Sequence, residues 1–270
     1  MMSMAPSLMA GAGGSVVSSP AHRDGKRQMN EREYEIMAAV EDCHFWFVGI
    51  RGIVRDAYLA AGLGPESRVL DVGCATGGMM RLMHGLGRFT GLDASAKAAK
   101  MARERSGNEV VVSSATSMPF ETGTFDGVTA LDVLEHIEDH VAAVREIRRV
   151  LKPGSPLIAT VPCHPALYSR HDTALHHVRR YKRPEFLALL QDNGFTIERA
   201  TWTNSLLFPM AIIQRMAERL VPGRKGDAQS DVGTTLSPLN GLLTTIMGAE
   251  RRLAARHDLP FGLSLMVVAR

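Results

Sequence analysis

The chain has 270 residues, 45% of them hydrophobic, which is enough to bury one substantial core and short for two independent ones. Its 31 basic and 28 acidic side chains leave a formal charge of +3, so there is no general attraction to nucleic acid or to an anionic membrane. The three cysteines, Cys43, Cys74 and Cys163, lack C-x-x-C spacing, which argues against a disulfide framework or zinc site and for a reducing, cytoplasmic setting.

Residues 1–30 are rich in Met, Ala, Gly and Ser, with no basic stretch leading into an apolar one, and read as a disordered tail, not a secretory signal. Helical spacing of apolar residues follows over 31–66, with Phe45, Trp46 and Phe47 where one helix meets the next. After the Gly64-Pro65 break, β-rich runs alternate with helix-like runs: "RVLDV", "GGMMRLMHGL", "RFTGLD", "SAKAAKMARERS", "EVVVSSA", "FDGVTALDVL", "DHVAAVREIRRVL" and "PLIATVP". This alternation predicts a parallel sheet covered by helices on both faces. Beyond Pro162 lies a polar loop rich in His and Arg, then a helix opened by Pro184 and closed by Gly194, then the strand "FTIERATW". Residues 203–259 read as two helices, "SLLFPMAIIQRMAERL" and "LNGLLTTIMGAERRLAARH", joined by a mobile loop, "VPGRKGDAQSDVGT". The strand "GLSLMVVAR" completes 260–270, and no run is long enough to span a bilayer.

The segment "RVLDVGCATGG" sets Asp71 at the end of an apolar run and follows it with a turn bearing Gly73, Gly77 and Gly78. A glycine turn before a helix welcomes a phosphate, but a fixed carboxylate beside it repels one, which disfavours a dinucleotide. The second strand ends in Asp93, placed to accept hydrogen bonds from the two hydroxyls of a ribose. Two carboxylates and a glycine turn suit a nucleoside with a cationic tail, such as S-adenosylmethionine with its sulfonium and ammonium.

The stretches "VLDVGCATGG", "GLDAS", "SSATSMPFETGTFDGVTALDVLEHI" and "RRVLKPGSPLIATVP" resemble the successive motifs of class I S-adenosylmethionine-dependent methyltransferases. The likeness is greatest to the small-molecule branch that includes the ubiquinone-biosynthesis O-methyltransferases, and it covers residues 68–162. It implies an α/β, Rossmann-like three-layer sandwich: a seven-stranded, mostly parallel sheet with an antiparallel C-terminal hairpin. The helical lead-in (31–66), the cofactor-binding core (67–202), the helical insertion or lid (203–259) and the last strand (260–270) then form one methyltransferase domain. By the same resemblance Asp71, Gly73 and Gly77 surround the methionine part of S-adenosylmethionine. Asp93 holds the ribose flanked by Ala94 and Ser95, Ala115 and Thr116 border the adenine, and Leu131 and Asp132 line the floor. Two departures stand in that pattern. Ala75 occupies a glycine position, and Ser114 stands where an acidic residue often meets the adenine amino group; both are expected to alter affinity and keep binding.

Methyl transfer needs an aligned nucleophile, exclusion of water and at times removal of a proton. The loop "CHPALYSRHDTALHHVRRYKR" supplies His164, Tyr168, His171, Asp172, His176 and His177 beside the expected methyl group. His171, oriented by Asp172, is the first choice of base, with His176 a further candidate. The run of Asp132, Glu135 and His136 resembles an acidic-x-x-Glu-His run that the ubiquinone O-methyltransferases associate with a divalent ion. No metal is expected, and Glu135 and His136 are expected to order the turn and helix. Arg179, Arg180, Lys182 and Arg183 form a basic stretch that suits an anionic group on a substrate or a lipid headgroup. The leading expectation is a methyltransferase acting on O or N of a small, partly apolar metabolite, with lipid-like or quinone-like acceptors and peripheral membrane contact within its range. No nucleic-acid partner is expected, and the sequence sets no oligomeric state. The alternatives are an RNA or protein methyltransferase and a catalytically inactive cofactor-binding regulator.

Overall fold

The computed structural model describes residues 31–220 and 239–270, apart from the side chains of Glu31, Arg170, His171, Gln214 and residues 217–220. The expected tail over 1–30 and the loop "VPGRKGDAQSDVGT" lie outside the described residues.

Five strands, β1 (Arg68–Val72), β2 (Arg88–Asp93), β3 (Glu109–Val112), β4 (Gly127–Leu131) and β5 (Leu157–Pro162), are parallel, as their alternation with helices predicts. β6 (Ile197–Thr203) and β7 (Ser264–Ala269) complete one sheet in the order β3-β2-β1-β4-β5-β7-β6. β7 runs antiparallel to both of its neighbours, so the C-terminal pair closes the sheet as expected. The order reverses between β1 and β4, and in such a sheet the crevice at the carboxyl ends of those strands receives the ligand.

Both faces of the sheet are covered, and side chains along a strand alternate between them. Leu70 and Val72 of β1, Leu157, Ala159 and Val161 of β5, and Leu265 and Val267 of β7 join one core. It is closed by α5 (His140–Val150), through Val144 and Ile147, and by α7 (Arg183–Asp192), through Phe186 and Leu190. Val69, Ile158, Met266 and Val268 point to the other core, shared with α2 (Phe45–Ala60), α3 (Gly78–Leu82), α4 (Ala96–Ser106) and α9 (Leu239–Ala254).

The second core explains how a helix from the end of the chain meets one from its beginning. Gly49 and Gly52 stand one turn apart on α2, and a Cβ built on Gly49 lies 2.6 Å from Met247 Cε of α9. Arg251 of α9 grips Asp56 of α2 with two hydrogen bonds of 2.6 and 2.7 Å, and Asn240 accepts from the amide of Phe45 at 2.9 Å. α9 therefore covers α2, while α8 (Phe208–Leu220) and α1 (Glu31–Val40) both contribute residues to the crevice lining. Among the described residues no helix is long and apolar enough to cross a membrane.

Candidate active site

The register of β1 on β4 sets Asp71 opposite Thr129, and the threonine hydroxyl donates to Asp71 Oδ1 at 2.7 Å. Asp71 is 3% exposed; burial pushes its pKa up to about 6, against the Thr129 hydrogen bond and the Arg51 charge and with the help of Asp93. The turn that follows requires glycine at Gly73, where φ is 70° and a Cβ would stand 2.3 Å from Val133 Cγ2. Gly77 faces away from the crevice. At φ 79° it caps α3, and a Cβ there would stand 2.9 Å from Ala102 Cα of α4.

Asp93 closes the turn from the other side. Its Oδ2 accepts from the amide of Ala75 at 3.0 Å and its Oδ1 from the amide of Ser95 at 2.8 Å, and Ser95 in turn caps α4. Burial still raises the Asp93 pKa against these two amides. Ala75 holds φ 45°, a left-handed conformation natural to glycine and strained for alanine. Ala75→Gly is expected to stabilise the fold by roughly 0.5–1 kcal/mol, the relief of strain exceeding the added chain entropy; a thermal melt checks it.

Of the residues expected to surround a cofactor, Asp71, Gly73, Ala75, Asp93, Ala94, Ser95, Ser114, Ala115, Leu131 and Asp132 line one cavity of about 820 Å³. Thr116, half-buried, is not part of that lining, and its hydroxyl lies 2.8 Å from that of Ser114. The helical lead-in supplies a wall that motif reading does not give. Tyr34 and Met37 of α1 face the Asp93 side, and burial together with the Asp93 charge pushes the Tyr34 pKa up to about 12. His44, Phe45, Trp46 and Phe47 continue that wall, and Leu207 of the turn before α8, Met210 of α8 and Leu243 of α9 line the same cavity.

The loop after β5, which carries the short helix α6 (Arg170–Ala174), folds back over the end of β4. Tyr181 donates its amide to Pro162 O at 2.9 Å and its hydroxyl to Leu134 O at 3.2 Å, and the Val178 amide donates to Glu135 O at 2.8 Å. Asp172, expected to orient a histidine, does so for His177: Nδ1 of His177 lies 2.8 Å from Asp172 Oδ1, which also accepts from Arg180 Nε at 2.7 Å. Burial opposes ionisation of Asp172, yet His177 and Arg180 together hold its carboxyl well below the usual range. The His171 side chain lies outside the described residues. His176 sits half-buried in a left-handed turn at φ 57°, and of this loop's described histidines it is His177 that lines the cavity, with His136 of the β4 end beside it. The basic stretch forms no single patch: Arg180 is buried on Asp172, Arg179 donates to Glu138 O at 2.9 Å, and Lys182 pairs with Glu185 at 2.8 Å.

Glu135 departs from the expected ordering role. Its carboxylate is fully buried and neither oxygen has a hydrogen-bond partner; burial and the nearby Asp132 raise its pKa well above the ordinary value. One donor atom each from Glu135, His136 and His177 lies within 4.8 Å of the others. Burial, reinforced by the two histidines of the loop, presses the His136 pKa down to about 3 and keeps the ring neutral.

Known proteins resemble both the sequence and the fold. A family model described as a methyltransferase domain matches residues 70–159. The ubiquinone biosynthesis O-methyltransferase of Xanthomonas axonopodis pv. citri is 32% identical over 166 residues, 54% of this chain and 70% of the relative. The O-methyltransferase resE of Aspergillus sclerotiorum is 26% identical over 211 residues, 72% of this chain and 79% of the relative. Among solved structures, geranyl diphosphate C-methyltransferase of Streptomyces coelicolor, in complex with Mg2+, geranyl-S-thiolodiphosphate and S-adenosyl-L-homocysteine, shares the fold. Its TM-score is 0.54 at 16% identity, over 80% of this chain and 74% of that one.

Proposed function

The chain belongs to the class I S-adenosylmethionine-dependent methyltransferases, and from that premise we propose that it methylates an oxygen or nitrogen of a small, partly apolar acceptor. The observation that carries this reading is the cavity itself. It runs from Asp71 and Asp93 to the apolar wall of Phe45, Trp46, Leu207, Met210 and Leu243, and its size suits a nucleoside together with a small second ligand.

When bound, S-adenosylmethionine supplies a methyl group on a cationic sulfur as the electrophile. Asp71 would hold the ammonium end and Asp93 the ribose, with Ala115 bordering the adenine and Leu131, at the end of β4, lining the floor. The apolar wall excludes water and aligns the acceptor. Asp172 binds Nδ1–H of His177, which leaves the Nε2 lone pair to take the proton the acceptor gives up. Tritium transfer from labelled cofactor across a panel of phenols, catechols and amines tests the reading. His177→Asn should lower turnover by about 10²–10⁴-fold with S-adenosylhomocysteine binding intact. Absence of transfer to every small acceptor, with transfer to RNA or protein instead, would overturn it.

A second reading of the same corner is favoured by the partnerless Glu135 carboxylate. Glu135, His136 and His177 would hold a divalent cation, which would acidify and orient an acceptor hydroxyl. Turnover that vanishes in chelator and returns with added cation selects this reading, and turnover indifferent to chelator selects the histidine base.

The environment of Asp71 gives a pH dependence. Its pKa of about 6 exceeds the ordinary 3.8, so the folded state binds the proton more tightly. This group's contribution to folding is therefore fully present below about pH 4 and is lost as pH rises through 6. Cofactor binding runs the other way, because an ammonium needs the carboxylate ionised. S-adenosylhomocysteine is expected to bind about tenfold more weakly at pH 5 than at pH 7, and Asp71→Asn should flatten most of that slope in a calorimetric titration. Asp93, also raised, adds in the same sense.

A further inference from the structure

Asn204 follows β6 with φ 57° and is 3% exposed, yet neither Nδ2 nor Oδ1 of its carboxamide finds a hydrogen-bond partner. Both atoms are cut off from bulk water, and the residue lines the cavity beside Leu207 and Leu263. Leaving a donor and an acceptor together in a low-dielectric wall is costly, so the position calls for an explanation.

The backbone around it is built with care. The Glu250 carboxylate, fully buried on α9, accepts from the amide of Leu206 at 2.9 Å, and the amides of Asn204 and Ser205 turn toward the same group. Ser205 Oγ donates to Phe261 O on the far side. Three residues are thus pinned and the carboxamide is fixed, in a conformation that asparagine tolerates better than most side chains.

We propose that Asn204 is the acceptor-recognition residue of this cavity, and that it binds an uncharged hydroxyl of the acceptor, distinct from the oxygen or nitrogen that receives the methyl group and borne on an apolar body. The inference rests on the small-acceptor reading and narrows it. A charged ligand leaves one half of the carboxamide unsatisfied. A carboxylate matches Nδ2 but faces Oδ1 with a like-signed oxygen, and an ammonium matches Oδ1 but repels Nδ2. A hydroxyl donates to Oδ1 and accepts from Nδ2, and an apolar body behind it meets Leu207, Met210 and Leu243.

The test uses full-length protein saturated with S-adenosylhomocysteine and three probes of one shape: para-butylphenol, para-butylbenzoate and butylbenzene. Calorimetry should show the phenol binding at least about tenfold more tightly than either of the others. Asn204→Gly, which keeps the left-handed backbone without strain, should erase that preference while leaving the butylbenzene affinity and S-adenosylhomocysteine binding unchanged. It should also melt no lower than the wild type, because an unsatisfied buried amide is removed. Asn204→Ala is the second variant and should show the same loss of preference despite its backbone strain. The proposal is overturned if wild type prefers benzoate or shows no preference, or if either variant keeps the preference. A melting point several degrees lower with the preference intact would make Asn204 structural. Loss of S-adenosylhomocysteine binding by the wild type would count against the methyltransferase reading instead, a separate outcome.

Discussion

Exchange of Asp93 for alanine is expected to weaken S-adenosylhomocysteine binding by about 10²–10⁴-fold, with little change in melting temperature. A carboxylate has about four acceptor positions. In Asp93 two are taken by the amides of Ala75 and Ser95, which leaves two for a ribose at the edge of the cavity. Hydrogen bonds to a charged group contribute about 1.5–3 kcal/mol each, and two of them give the stated range. The fold loses less because burial already disfavours the ionised form, so removing the charge relieves a desolvation cost as the two amide contacts disappear. Asp93→Asn is no milder substitute. Its NH2 would face one of the two amide donors, so the asparagine must leave the turn or break a contact. Calorimetry with S-adenosylhomocysteine and a melt of each variant measure both sides. Unchanged affinity in Asp93→Ala would remove Asp93 from the site.

Asp93 also marks what a sequence can disclose. β1, β2 and β4 are short apolar runs bounded by polar turns, so pattern alone sets Asp71 and Asp93 at strand tips, and in an open parallel sheet the ligand crevice lies beyond those tips. Gly73 was legible for the same local reason, whereas Gly77 proved to serve helix packing against Ala102. The loop after β5 was not legible to the residue. It offers several histidines within a few positions, and which of them meets Asp172, His177, depends on a fold of the loop that Arg180, eight residues on, also fixes. Asn204 and Glu250 carry no periodic signal, since their meeting depends on how α9 docks at Gly49 and Gly52. Tyr34 and Glu41 lie in a lead-in whose apolar spacing announces a helix but not the surface it will cover.

Glu41→Ala is expected to destabilise the protein by about 3–5 kcal/mol, lowering the melting temperature by roughly 6–20 °C. Glu41 is 1% exposed at the corner between α1 and α2, and its carboxylate accepts from Arg51 of α2, Arg105 of α4 and the Thr76 hydroxyl, the last at 2.7 Å. Arg105 also donates to Thr76 O at 2.9 Å and to Asp42 at 3.0 Å, so the corner is bolted to the glycine turn and to the end of α4. Deleting the carboxylate leaves two guanidinium groups, 13% and 18% exposed, with the exposed Asp42, 3.9 Å from Arg51 and 3.0 Å from Arg105, in place of a buried counter-charge, and this weakened compensation dominates the cost. Glu41→Leu combined with Arg51→Met should therefore be more stable than Glu41→Ala, because it removes one of the stranded charges together with the carboxylate and fills the space with apolar atoms. The same corner carries Tyr34 and Met37 over the Asp93 side of the cavity, so Glu41→Ala should also loosen S-adenosylhomocysteine binding even below its melting temperature. Thermal unfolding with and without that ligand separates the two effects. A drop of under about 1 kcal/mol would mean that Arg51 and Arg105 find other acceptors, and that the lead-in is held by its apolar contacts alone.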